Sequence, residues 1–323
     1  MHVASSGRVW PAIVTSKSRE RMNGTISWVS SPLTCQIQVS GPSHVRFMQG
    51  LCSNDVVQTA IGVSCEAYIP SVQGKTLAHG FLEKYDDRIV FLGLGQQSEA
   101  LLPHLQKYSM IEDVEVTDQS DTKNAIFIWG EDATAWLKEK LEVSDLPDLL
   151  QHRSVSWEGA TIEIFRTPIL QEDSYELSGP NVESLVQGIE PSAEAFEQKR
   201  IAGCFPIHGI DIGSEHLAQE VNRDDTAISF KKGCYLGQET VARIDAMGHV
   251  NKKLVAVHWL SEPVPEELPA AIVVDGKEVG RLTSLACIDG QYWGLAMIRR
   301  GLNVVGTRID SENGSLEVAN YSS

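Results

Sequence analysis

Between Leu254 and Thr307 the chain reads as five short strands with almost no helical periodicity: Leu254–Leu260, Ala271–Val274, Glu278–Thr283, Tyr292–Ile298 and Leu302–Thr307. Asp275-Gly276 and Asp289-Gly290 fall between them, and an Asp-Gly pair supplies the left-handed backbone that a two-residue hairpin loop requires. Regularly spaced short strands with such turns predict a small antiparallel barrel. Before Ala202 strands alternate with helices, so the barrel must be a separate unit. A chain of 323 residues is also long for one core, and two or three domains are expected from length alone.

The alternating part contains two rounds of elements. In the first, Thr34–Val39 is a strand, and Pro42 opens a helix whose apolar side carries Val45, Phe47, Met48 and Leu51. Cys65–Ile69 is a second strand, and Leu77–Tyr85 and Arg88–Leu94 flank an Asp86-Asp87 turn as a hairpin. Ser98 caps a helix to Tyr108 with Leu101, Leu102 and Leu105 inward, and Glu112–Thr117 closes the set. The order β-α-β-β-α-β is that of a ferredoxin-like lobe, with the pairing of the hairpin open.

The second round has strands at Asn124–Trp129, Ser154–Trp157, Thr161–Arg166 and Ser174–Leu177. Its helices span Asp132–Leu141, a short turn capped by Asn181, and Pro191–Ile201. The rounds share no sequence repeat, so similar architecture is all that the pattern implies. From Ala202 to Gly237 the chain turns irregular, and a loop-rich stretch of that length inside a compact domain is usually functional.

Charge and cysteine usage exclude several classes. The formal charge of −16 argues against an extensive nucleic-acid or anionic-membrane surface, because phosphate contacts need a positive field. No apolar run is long enough for a spanning helix. Residues 1–22 show neither a secretory signal nor clear periodicity, and read as a flexible lead-in. The six cysteines contain no C-x-x-C pair and the histidines are dispersed. Reduced thiols in a cytoplasmic protein without a protein-held metal are the expectation. Gly74-Lys75-Thr76 ends like a phosphate loop but has Ile69 where the pattern needs glycine, and reads as a turn before a strand.

Residues 231–239, Lys-Lys-Gly-Cys-Tyr-Leu-Gly-Gln-Glu, hold two lysines, two glycines, a lone cysteine and a carboxylate with almost no apolar face to bury. This predicts an ordered loop, with Gly237 capping a helix from Gln238 to Ile244 and Val241 and Ile244 inward. Cys234 then lies beside a helix N-terminus and two cations, a setting that favours thiolate, although a buried structural cysteine fits the residues equally well.

The same run resembles the Lys-Gly-Cys-Tyr-x-Gly-Gln-Glu signature of the YgfZ-type folate-binding proteins, relatives of the T-protein (aminomethyltransferase) of the glycine cleavage system. Residues 39–57, 199–222 and 278–300 resemble further elements of that family, namely its Ser-Asn-Asp-Val stretch, its Arg-Ile-x-x-Gly element, and its Thr-Ser element with the closing Ala-x-x-Arg strand. The resemblance implies two ferredoxin-like lobes and a C-terminal barrel around a folate cavity. The implied domains are a folate-binding unit at 23–247, with lobes near 23–120 and 121–202 and a functional loop at 203–247, followed by a barrel at 248–323.

A pterin presents a 2-amino group and N3–H side by side, which a carboxylate can accept as a pair. Glu220 and Glu239 are the carboxylate candidates, and Lys231, Lys232, Arg223 and Arg243 the cations for a glutamyl tail. Tyr235 is a candidate wall, with Gln238, Asn54 and Asp55 at the cavity mouth. Competing structural readings are a Glu239–Arg243 helix pair, turn chemistry at Asn54 and Asp55, and an ion pair for Arg200 and Asp211.

The T-protein carries an acid just before its first strand. Here that region is Ile26-Ser27-Trp28-Val29-Ser30-Ser31, which puts Trp28 at the position and argues against aminomethyl transfer, since an indole relays no proton. The resemblance therefore implies a tetrahydrofolate-binding accessory protein for iron–sulfur cluster assembly or repair. Through cluster enzymes it would serve tRNA modification, with Cys234 as reactive thiol and assembly proteins or client enzymes as partners. The alternatives are a folate-dependent one-carbon transferase or demethylase partner, and a non-catalytic folate-dependent adaptor.

Overall fold

The computed structural model describes residues 13–14 and 26–321, so the expectation for residues 1–22 falls, apart from one two-residue strand, outside the described residues. That strand, β1 (Ile13–Val14), and β2 (Ser27–Ser30) both join sheets formed later in the chain. The first lobe follows as β3 (Cys35–Ser40), α1 (His44–Gln49), β4 (Ser64–Pro70), β5 (Thr76–Lys84), β6 (Arg88–Gly93), α2 (Ser98–Ser109) and β7 (Glu115–Asp118). Its antiparallel sheet has the order β4-β5-β6-β3-β7, a ferredoxin-like arrangement with one extra strand in the meander.

Strand alternation gives this sheet two different faces. Cys35, Ile37 and Val39 of β3 pack with Leu82, Ile89 and Phe91 under α1 and α2, where Phe47, Met48, Leu101 and Leu105 complete the core. Each such fully buried side chain contributes roughly 1.5–3 kcal/mol. Gln36 and Gln38 point to the opposite face. Ser98 is the first helical residue of α2, and no side chain caps that end.

The second lobe comprises β8 (Ala125–Trp129), α3 (Ala133–Lys140), β9 (His152–Trp157), β10 (Ala160–Arg166), β11 (Ser174–Ser178) and α4 (Ala193–Ala202). Its sheet order, β2-β8-β11-β10-β9, repeats that of the first lobe position for position. The edge strand equivalent to β7 is β2, contributed by residues that precede the first lobe in sequence. Asn181 adopts a left-handed backbone (φ 59°) ahead of a 3-10 turn at Val182–Val186 rather than capping it through its side chain.

The two sheets pack face to face. Phe81, Val90 and Leu92 of the first meet Val29, Phe127 and Phe165 of the second, and Phe196 and Phe205 close the layer. The Phe81 and Phe165 rings meet edge-on with centroids 5.4 Å apart.

After the short helix α5 (Asp224–Ala227) and α6 (Gln238–Met247) come β12 (Lys252–Trp259), β13 (Ala270–Val274), β14 (Lys277–Ile288), β15 (Gln291–Arg299), β16 (Arg308–Ser311) and β17 (Gly314–Val318). The sheet order β14-β15-β12-β17-β16, with β13 on β14, curls into a nearly closed antiparallel barrel. The bonds Glu312 N–H to Val273 O (2.9 Å) and Asn313 Nδ2 to Ala271 O (3.1 Å) draw its free edges together. Both Asp-Gly pairs have positive φ at each residue, 50° and 70° at 275–276 and 51° and 79° at 289–290, as two-residue hairpins require. The strand expected at Leu302–Thr307 does not form. Gly301 and Gly306 take φ of 90° and 87°, the segment turns with Val304 and Val305 exposed, and pairing resumes at β16.

A buried guanidinium ties α4, the irregular stretch and the barrel together. Arg200, fully buried, donates to both oxygens of Glu197, to Phe205 O and Asp211 Oδ2 (both 2.8 Å), and to Ser284 Oγ (3.0 Å). Asp211 in turn accepts from Thr283 and Ser284 of β14 and from the Ile207 N–H. The structural ion-pair reading of Arg200 and Asp211 is what the fold contains.

Candidate functional site: a carboxylate-lined cavity between the lobes

The apolar layer between the two sheets does not reach the whole interface. Beyond Val90, Leu92 and Phe165 the facing strands carry polar residues, and a cavity of about 100 Å³ opens between them. From the first lobe Gln36, Gln38, Glu83, Tyr85 and Arg88 line it. From the second, Glu163, Glu176 and Ser178 face them, with Gln119 and Lys123 on the connecting segment. The glutamines form a chain, Gln36 Nε2 donating to Gln119 Oε1 (3.0 Å) and Gln119 Nε2 to Gln38 Oε1 (3.3 Å).

Three carboxylates share this space. Glu176 is 2% exposed; one of its oxygens contacts the Lys123 ammonium and the other, Oε2, has no hydrogen-bond partner among the described residues. A buried carboxylate oxygen left without a donor is costly, so it marks a place where a donor belongs. Glu163 accepts from Ser154 Oγ (2.7 Å) through Oε1, and its Oε2 is also unpartnered. Glu83 accepts a bond from the Tyr85 hydroxyl (3.1 Å). Burial, reinforced by the charge of Glu176, pushes the Glu83 carboxyl up to about 8. Arg88 stands at the rim with its guanidinium 3.9 Å from the Tyr85 ring centroid, while the His152 ring is tilted against that ring with centroids 4.3 Å apart.

None of the site residues expected from sequence lines this cavity. Lys232 is buried, and its ammonium donates to the carbonyls of Gln49 (2.8 Å), Cys52 (2.8 Å) and Asn54 (2.7 Å). An ammonium has three donors, so none is left for a ligand tail. Asn54 bridges Glu66 O and Thr226 O through Nδ2, and Asp55 Oδ1 accepts from Gln49 and from the Gln58 N–H. Glu220, buried, accepts the Leu217 N–H (3.0 Å) at the start of a 3-10 turn. Glu239 and Arg243 are exposed on α6, and no bond joins them among the described contacts. Gln238 Oε1 accepts the Tyr235 N–H (3.2 Å), and Tyr235 is buried beside the Lys232 ammonium (5.1 Å). Lys231 is exposed. Arg223 instead forms a two-pronged pair with Glu66, which His79 also contacts (2.7 Å). These bonds outweigh burial and hold the Glu66 carboxyl at about 2.

The signature loop is nonetheless built with care. Gly237 has φ 79°, and a Cβ there would meet Ser71 O at 2.3 Å, so only glycine passes between this turn and α6. Val241 and Ile244 are buried as expected. The loop docks where Leu236 packs against the helix-side core of the first lobe, and Cys234 is exposed. It therefore lies on the side of the first sheet opposite the cavity.

Trp28 is also not at the cavity. Alternation on β2 sends Val29 into the layer between the sheets and Trp28 into the helix-covered core of the second lobe, where its Nε1 donates to Ile189 O (2.9 Å). The indole therefore does not decide the chemistry of this space, and acids do line it.

Residues 31–231 match the GCVT N-terminal domain family. The chain belongs to this family. Among curated relatives, a chloroplastic protein of Arabidopsis thaliana named as a transferase is 24% identical over 85% of this chain and 65% of its own length. The tRNA-modifying protein YgfZ of Hamiltonella defensa is 27% identical over 88% of each chain. The mitochondrial iron–sulfur cluster assembly factor IBA57 homolog of Coccidioides immitis is 26% identical over 73% of this chain and 57% of its own. This chain thus spans under two thirds of the Arabidopsis relative.

The same fold occurs in the crystal structure of the glycine cleavage system aminomethyltransferase T from Bartonella henselae. The TM-score is 0.79 at 17% identity, covering 91% of this chain and 85% of that one. The family's fold is therefore that of two stacked lobes and a barrel, as expected from sequence. Among the described residues no helix is long and apolar enough to cross a membrane, and no group of three or more His, Cys, Asp or Glu is arranged to hold a metal ion.

Proposed function

We propose that this family member is a tetrahydrofolate-binding accessory protein that supports iron–sulfur cluster assembly or repair and, through cluster enzymes, tRNA modification. The observation that carries the folate reading is Glu176, a buried carboxylate that lines the cavity and has an oxygen without a partner among the described residues. The 2-amino group and N3–H of a pterin are the paired donors such a carboxylate lacks. The residues present thus fit the group. Glu176 would hold the ring edge, with Phe165, Val90 and Leu92 as apolar walls and Arg88 at the rim as a counter-charge for the tail. Relatives named for tRNA modification and for iron–sulfur cluster assembly support the cellular role.

Cys234 is the reactive thiol in this reading, displayed on a loop that Lys232 and Gly237 hold in shape. Its separation from the cavity by the first sheet favours folate as a bound ligand and the thiol as an independent group.

Calorimetric titration of tetrahydrofolate into wild type and Glu176→Gln tests the reading. Saturable binding weakened roughly 10- to 100-fold by the substitution is expected, because the amide keeps one acceptor and presents a donor to a donor. Equal affinity of the two proteins overturns the assignment. Cys234→Ser should fold and bind folate normally yet lose support of cluster enzymes in cells; full support would make the thiol structural only.

One-carbon transfer is the second reading, favoured by the carboxylates that do line the cavity. Formation of methylenetetrahydrofolate from an aminomethyl donor decides for it.

A further inference from the structure

The cavity holds more acid than its cations can neutralise. Glu83 of β5 faces Glu163 on β10 and Glu176 on β11 across the two sheets. Among the described residues that line the cavity, the buried cation is Lys123 ahead of β8, which is bound to Glu176 and to Leu33 O (3.3 Å). From β3 come only the neutral amides of Gln36 and Gln38. On the β5–β6 hairpin, Arg88 lies at the rim over the Tyr85 ring and pairs with Asp87 (2.9 Å), and from β9 His152 packs beside the Tyr85 ring. Glu83 is itself 5% exposed, and the Tyr85 hydroxyl meets one of its oxygens. Like charges enclosed together cannot all ionise, so a proton must be held among them.

We propose that Glu83 carries this proton and acts as a neutral hydrogen-bond donor that recognises a carbonyl on the ligand, beside the donors accepted by Glu176. The inference rests on the folate reading of the cavity and deepens it. A pterin edge runs 2-amino, N3–H and C4 carbonyl: two donors, then an acceptor. An ionised Glu176 satisfies the first two, and a protonated Glu83 satisfies the third. Two ionised glutamates would leave the carbonyl facing a negative charge. The site is thereby selective for a 2-amino-4-oxo ring, and occupancy depends on a proton that is already present in the free protein. The upward displacement of Glu83 to about 8 agrees with the geometry.

The test is calorimetric titration of 5-formyltetrahydrofolate between pH 6.5 and 9.5 into wild type, Glu83→Gln and Glu83→Leu, each checked by near-UV circular dichroism. This ligand's own ring amide titrates above the range. Wild-type affinity should be flat to about pH 7.5 and then fall, losing about tenfold between pH 7 and 9, as the donor-competent fraction shrinks. Glu83→Gln keeps a donor that cannot ionise, so its affinity should not fall over this range. Glu83→Leu should bind weakly at every pH.

Wild-type binding that is independent of pH, or a Glu83→Gln profile that falls as wild type does, overturns the proposal while leaving the folate site standing. Absence of binding to wild type at every pH overturns the folate reading itself, and this proposal with it.

Discussion

Replacing Lys232 by methionine separates a structural lysine from a ligand-binding one. Methionine keeps the length and the apolar stem and removes only the ammonium. The three carbonyls of Gln49, Cys52 and Asn54, now bonded at 2.7–2.8 Å, then lose their donor in a site that is 8% exposed. Hydrogen bonds to a charged group contribute about 1.5–3 kcal/mol each, but burying the ammonium costs several kcal/mol, which the substitution recovers. The expected net loss is about 3–5 kcal/mol, in the range found when one side of a buried charged network is removed. Because the bonds join the 231–239 loop to the end of α1, the first consequence is release of that loop.

Hydrogen exchange at residues 229–237 together with a thermal melt reads both the local and the global effect. Faster exchange of the loop and a melt lowered by several degrees, with the cavity intact, is the expected outcome. An unchanged melt and unchanged protection combined with a lost response to tetrahydrofolate would refute the reasoning and restore Lys232 as a ligand cation.

Other perturbations follow from the buried charges. Glu66, held at about 2 by Arg223 and His79, contributes stability that is present above its unfolded value near 4.5 and lost as pH falls toward 2. Acid unfolding of wild type should therefore show a stability loss of about 3 kcal/mol across pH 4.5 to 2 that Glu66→Gln lacks; identical acid slopes would contradict it. Glu83 has the opposite sign. Its folded value is raised, so its contribution is complete below pH 4.5 and is gone once pH has risen through about 8, and Glu83→Gln should remove that decline between pH 4.5 and 8. Arg200→Leu strands Glu197 and Asp211 without their guanidinium and should cost at least about 3–5 kcal/mol in urea unfolding; a loss below 1 kcal/mol would show that the network is incidental.

Local rules were readable where a single residue or a short repeat carries them. The alternation of β3, the two Asp-Gly hairpins, the αL turn at Gly237 and the inward Val241 and Ile244 of α6 all follow from short-range sterics and period. The Leu302–Thr307 strand failed because its β-branched residues lie between two glycines that turn the backbone, and β propensity yields to that context. Among the expected site residues, Lys232 and Glu220 stand in an irregular stretch, where a lysine or glutamate looks free in the sequence. Whether a nearby carbonyl or N–H consumes it depends on segments far away in sequence, 180 residues away for Lys232 and Cys52.

What the sequence determined by itself is therefore most of the strands and helices of the two lobes, the antiparallel barrel that follows them, and the family to which the chain belongs. It could not place the cavity. Glu163 and Glu176 occupy polar positions on strands with apolar neighbours, which by pattern alone is a solvent-facing side, and Glu83 follows Phe81 on a strand whose residues do not alternate. Only when the two sheets stack on Phe81 and Phe165 do those polar faces meet, lose water together, and become a site. The physical reason is that period and propensity act over a few residues. Desolvation of a carboxylate depends on what the rest of the chain brings against it.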